Sequence, residues 1–172
     1  MYILFGSGKQ FGNANLKDVW SFHFNSHKWE RVPTVGESPP AMYGHSGIFS
    51  HNFIYIFGGT TGTAYFNHLY RLCLITKKWK RMALASQATE PGARYKHACF
   101  LSPRCEYLPS PGLIIFGGKS GDRRYVDAFE FSFSLNKWAQ LALSDPQSDG
   151  KRLFNGRFAH TVCADETDSE GF

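Results

Sequence analysis

No window of the chain approaches eighteen consecutive apolar residues, so no stretch reads as a membrane-spanning helix. The opening MYILFGSG has no basic n-region and too short an apolar run for a signal peptide. No run of five or more Lys/Arg occurs; a net charge of +5 over 172 residues is a soluble surface slightly off neutral, without a nucleic-acid-binding tail. The four cysteines, Cys73, Cys99, Cys105 and Cys163, form no CxxC pair. Three of them (Cys73, Cys99 and Cys163) sit in apolar runs, so they read as reduced core thiols of a cytoplasmic or nuclear protein. GxSxG, HExxH and P-loop patterns are all missing, which removes the commonest signatures of nucleophilic, zinc and nucleotide chemistry. His23, His27, His51 and His68 share no ligand spacing. No convincing amphipathic helix is present either.

What the chain has is aromatics (16%, sixteen of them Phe), seventeen glycines and a recurrence. The hexapeptide IYIFGG at 54–59 has near-copies LIIFGG at 113–118 and YILFGS at 2–7. Trp29, Trp79 and Trp138, in KWERV, KWKRM and KWAQL, stand 50 and 59 residues apart. A histidine recurs in GHSGIFS at 44, KHACFLS at 96 and AHTVCAD at 159. Elements in fixed order with a period near fifty are an internal repeat. Each repeat reads as four strands: the histidine run, the hexapeptide, an alternating stretch (DVWSFHF, HLYRLCL, DAFEFSF) and the tryptophan strand. Period-two alternation and short length favour strand over helix. NSHK, ITKK and SLNK between the last two strands are compact enough for hairpin turns.

A repeated four-stranded unit is a propeller blade. The pattern resembles the kelch family, whose marks are a Gly pair after the second strand and then an aromatic and a Trp separated by six residues. Gly58-Gly59 and Gly117-Gly118 match the pair; Phe22 and Phe131 precede Trp29 and Trp138 at the family distance. Ser7 replaces the second Gly of the first pair, and Leu72 holds the aromatic position before Trp79. The resemblance implies an all-β kelch propeller of about three four-stranded blades, a partial or open ring. The expected blade equivalents are 1–43, 44–95 and 96–158, followed by a lone first strand at 159–165 and an acidic, disordered tail at 166–172. Three blades do not close a ring. The preferred reading is a segment of a larger ring; the alternative is a homodimer in which each copy lends its last strand to the other's first blade.

Within the family the sequence is similar to substrate receptors of cullin-2 ubiquitin ligases, which hold the C-terminal tail of a target in the central pocket. That likeness implies a protein or peptide ligand, with cullin-ligase components engaged only through a box absent from this chain. In a four-strand meander the second-to-third and fourth-to-first loops emerge on one face, which gathers Lys9, Arg94, Lys119, Arg123, Arg124, Lys151, Arg152 and Arg157. Arg94 and Arg157 precede inner strands, and guanidinium forks bind carboxylates bidentately. The candidate partner-binding residues are Tyr43, His45, Arg94, Tyr95, His97, Arg124, Arg157 and His160, with Phe158 as a further apolar wall. The competing reading is that Arg94 and Arg157 pair with loop acids such as Asp18, Asp122 or Asp127 and only hold blades together. Met42 stands in the first copy where the others have Arg. The three repeated histidines fit a shared blade position better than a metal triad. The insert LSPRCEYLPSPG at 101–112 lengthens one loop on the opposite face. The expectation is an interaction module with no catalytic residues, no cofactor, no metal, no nucleic acid and no membrane; a scaffold or cytoskeletal kelch protein binding through loops is the alternative.

Overall fold

Alternating apolar residues become strands in the repeats between residues 2 and 141. The computed structural model describes residues 1–8, 15–83, 89–102, 111–143 and 155–162, and all regular structure among them is β. The first sheet has three strands, β1 (Tyr2–Ser7), β2 (Asn15–His23) and β3 (Lys28–Arg31), in that order. The second holds β4 (Val35–Gly36), β5 (Ser46–Ser50), β6 (Phe53–Phe57), β7 (Leu69–Cys73) and β8 (Lys78–Arg81), ordered β5-β6-β7-β8-β4. The third comprises β9 (Ala98–Leu101) and β10 (Gly112–Phe116), then, beyond the two-stranded β11 (Lys119–Ser120) and β12 (Arg123–Arg124), β13 (Ala128–Ser132) and β14 (Lys137–Leu141). Four-residue turns join the last two strands of each blade, and their final residues His27, Lys77 and Asn136 adopt left-handed φ of 53°, 56° and 52°. The inner strands start just after the histidines, at Ser46 and Ala98.

The blades adhere through two apolar seams. Phe5, Val19 and Val32 of the first blade meet Ile54, Ile56, Tyr70, Leu72 and Trp79 of the second. Tyr55, Phe57 and Leu69 of the second meet Leu113, Ile115, Phe129, Phe131 and Trp138 of the third. Each seam therefore joins the trailing face of one blade to the leading face of the next. A fully buried side chain of this size contributes roughly 1.5–3 kcal/mol, so the seams are the main source of stability. The repeated aromatics lock them. Phe57 lies edge-on to His97 at 5.4 Å and 5.0 Å from Trp138. Phe5 makes the same pair of contacts with His45 at 5.6 Å and Trp79 at 5.7 Å.

Gly58 and Gly117 both have φ +66°, and a Cβ at either would meet the carbonyl oxygen of Arg94 or Arg157, at 2.5 and 2.8 Å. The first copy handles this junction differently. Sequence alignment sets Phe5 against Phe57, but Leu4 pairs with Val19 as Phe57 pairs with Leu69. The strand is slipped by one residue. Phe5 (φ 53°) and Gly6 (φ 111°) occupy the left-handed pair that Gly58 and Gly59 form in the second copy. Accordingly Gly6 N–H donates to Met42 O, as Gly59 N–H does to Arg94 O. The cause is Ser7: with one glycine available, the left-handed pair moves back a residue, and a bulge between Leu4 and Gly6 absorbs the shift.

β4 is an addition that the repeat pattern does not contain. The linker from the first blade runs parallel to β8, with Val35 N–H donating to Lys77 O and Glu37 N–H to Trp79 O. Residues 159–162, part of the expected lone first strand, carry no strand pairing; 163–172 and residues 103–110 of the 101–112 insert lie outside the described residues.

Candidate functional site

The fourth-to-first linkers end in an aromatic: Tyr43, Tyr95 and Phe158. Two of these are clamped to the first residue of the neighbouring second-to-third loop. Tyr43 and Thr60 exchange backbone hydrogen bonds of 3.0 and 2.9 Å, and Tyr95 and Lys119 exchange two of 3.0 Å. The residue after each aromatic turns left-handed, Gly44 at φ 67°, Lys96 at 54° and Ala159 at 55°. That turn sends the backbone into the inner strand and leaves the ring at the loop face.

The rings and the cations form one strip. Tyr43 and Tyr65 pack against Tyr95 with ring centroids at 6.2 and 5.4 Å. Lys96 Nζ lies 5.7 Å from the Tyr95 ring and 6.0 Å from that of Phe158. Lys119 Nζ lies 5.8 and 4.9 Å from the same two rings, and the Arg124 guanidinium is 5.7 Å from Phe158. Three side-chain cations therefore converge on Phe158. A cluster of like charge of this kind favours an added anion, and the rings supply an apolar wall beside it.

Arg94 departs from the ligand-binding expectation. It is 0% exposed. Its fork is taken by Asp127, with Nη1 donating to Oδ1 at 2.5 Å and Nη2 to Oδ2 at 3.1 Å. Nη1 also donates to Gly117 O and Nε to Gly92 O, both at 3.0 Å, and the guanidinium lies 3.9 Å from the Tyr125 ring. Four hydrogen bonds hold the fork inside the blade junction, the pairing alternative held open above. Met42 fills the equivalent place in the first copy, also buried.

His45, His97 and His160 likewise point into the blade seams, each edge-on to a phenylalanine (Phe5, Phe57 and Phe116). Burial lowers His97 to about 3, helped by the charge on Arg94, and it lowers His45 to about 4 against the opposing effect of a hydrogen bond to the backbone of Leu4. His160 is lowered too, by burial and then by Arg157. His97 Nε2 shares a 2.6 Å hydrogen bond with the Ser46 hydroxyl across the seam. Burial thus favours the neutral form of all three, and no group of three His, Cys, Asp or Glu among the described residues is placed to hold a metal ion.

Tyr43 and Tyr95 are half-buried in the strip, Arg124 is exposed at its end, and Arg157 is exposed beside Phe158. Lys96 and Tyr65 escaped the sequence reading, although ARYKH places a lysine directly after a predicted ring. Lys9, Lys151 and Arg152 lie outside the described residues. Cys73 and Cys99 are free thiols, and burial pushes Cys99 up to about 11. No helix among the described residues is long and apolar enough to cross a membrane.

Antiparallel meanders of three and four strands joined by aromatic seams, with their linkers gathered on one face, define an arc of a β-propeller. The chain belongs to the kelch-repeat family: residues 1–169 match the KLHDC2/KLHL20/DRC7 Kelch-repeats domain, and kelch repeats are a protein-interaction architecture. It is 27% identical over 143 residues to Kelch domain-containing protein 10 of Xenopus tropicalis, covering 82% of this chain and 33% of that protein. The human protein of the same name is 25% identical over 152 residues, 87% of this chain and 33% of its own length. Kelch domain-containing protein 2 of Bos taurus is 28% identical over 162 residues, 91% of this chain and 36% of its length. The chain thus spans about a third of the length of these relatives.

Proposed function

We propose that this chain is a peptide-recognition arc that receives the free carboxylate end of a polypeptide on the strip formed by Tyr95, Phe158, Lys96, Lys119 and Arg124. The carrying observation is the convergence of three cations on one aromatic ring. A terminal carboxylate offers two oxygens to such a group, and the residue before it packs on Tyr95 and Tyr43. The likeness to Kelch domain-containing protein 10 supports a role for the longer protein as a substrate receptor of a cullin-RING ubiquitin ligase, with the recruiting box elsewhere. Arg94 is withdrawn as a ligand contact, its fork being taken by Asp127. The test is a panel of peptides that differ only in a free C-terminal carboxylate or an amide, screened against the chain. Lys119→Ala and Arg124→Ala weaken the acid forms about tenfold each and leave the amides unchanged. Equal loss for acid and amide favours the scaffold alternative, in which loops grip a protein surface without an end-group pocket.

A further inference from the structure

The second-to-third loops of the second and third blades are anchored alike but charged differently. In the second blade, residues 60–68 (TTGTAYFNH) contain no Lys, Arg, Asp or Glu. In the third, the loop opens with KSGDRR and folds back as the hairpin of β11 and β12. Each loop is fastened at its first residue to a linker tyrosine, Thr60 to Tyr43 and Lys119 to Tyr95. Charge is therefore not needed to hold such a loop in place.

In the charged hairpin, Lys119 stands directly opposite Arg124, and Ser120 opposite Arg123. Like charges facing each other across an antiparallel ladder are destabilising. The acids of the same loop do not relieve them. Asp127 is taken by Arg94, and Asp122, exposed in the turn, forms no ion pair among the described residues. Lys119 and Arg124 rest instead on the Phe158 ring, at 4.9 and 5.7 Å. Arg123 lies over Tyr125 at 4.8 Å.

Both members of the facing pair have fixed backbones. Lys119 is held by its exchange with Tyr95. At Gly156, a Cβ would come within 2.8 Å of Arg124 O and 2.9 Å of Arg124 Cβ, so the linker that carries Phe158 is pressed against β12. Two cations are thus held side by side against one ring. A single carboxylate neutralises one of them and leaves the other.

We propose that the strip selects polypeptides whose last residue is acidic, an inference that rests on the terminal-carboxylate reading and narrows it. A C-terminal Glu or Asp carries two carboxylates joined by a short carbon chain. Facing residues of a ladder have Cβ atoms about 4.5–5.5 Å apart, a spacing that such a pair of carboxylates can meet. The Arg124 fork takes one of them through two parallel hydrogen bonds, and the Lys119 ammonium takes the other as a point charge. The uncharged loop of the second blade, with Tyr65 against Tyr95, receives the residues before the end. The difference in charge between the two loops therefore sets the direction in which the ligand lies.

Calorimetric titration of the whole chain tests it with four peptides, identical except for a last residue of Glu or Gln and an end that is free or amidated. The free-acid Glu peptide binds about tenfold more tightly than the free-acid Gln peptide. That advantage falls to about threefold or less in Lys119→Ala and in Arg124→Ala, and Arg124→Lys, which keeps the charge, retains most of it. Free-acid Glu and Gln peptides that bind equally, both more tightly than their amides, overturn this inference and leave the terminal-carboxylate reading standing. A Glu advantage unchanged in both alanine variants overturns it as well. Equal binding of acid and amide forms overturns the reading and the inference together.

Discussion

A buried arginine is affordable only when its charge is paired and hydrogen-bonded, and Arg94 meets that condition through Asp127 and two carbonyls. Arg94→Ala strands the Asp127 carboxylate and opens a cavity beneath Tyr125; the expected loss is about 3 kcal/mol in urea unfolding. Arg124→Ala, at an exposed position, leaves the unfolding midpoint unchanged. The glycines allow a similar contrast. Gly58→Ala drives a Cβ against Arg94 O and the His97 ring and costs about 2 kcal/mol or more, while Gly6→Ala meets no atom within 4 Å and costs about 1. Sequence alone marked Gly58 and Gly117 as the first members of the recurring glycine pair. It left two fates open for Arg94, because the deciding acid, Asp127, is thirty-three residues away in the chain.

Strand pattern made the elements readable: the alternating stretches and the tryptophan runs became strands in the expected order. Two details escaped. The slip of β1 depends on where a left-handed pair fits, and YILFGS aligns by eye with IYIFGG although the ladder sets it one residue away. β4 is two residues long and gains its place from the neighbouring blade edge, which no local pattern encodes. The inner-strand histidines give an element-scale prediction. Their folded values lie below the unfolded value near 6.5, so the unfolded chain takes up protons first as pH falls. Stability is therefore full above about pH 7 and declines below about 6.5. By pH 5 the loss approaches about 2 kcal/mol for each of His45 and His97. Urea midpoints across that range measure it. A flat profile contradicts the neutral, buried state of these rings.

For the molecule as a whole, the repeat count revealed the blades and the face on which their linkers meet. It did not reveal which cations remain at that face. Burial removed Arg94, and the left-handed turn after each ring aromatic brought Lys96 into the strip. The most direct measurement is a nuclear magnetic resonance titration of the labelled chain with a peptide from the panel that ends in a free carboxylate. Saturable shifts confined to Tyr43, Tyr95, Lys96, Lys119, Arg124 and Phe158, and missing with the amide form, are the predicted result. Shifts centred on the outer strands β3 and β14, or identical shifts from acid and amide, contradict it.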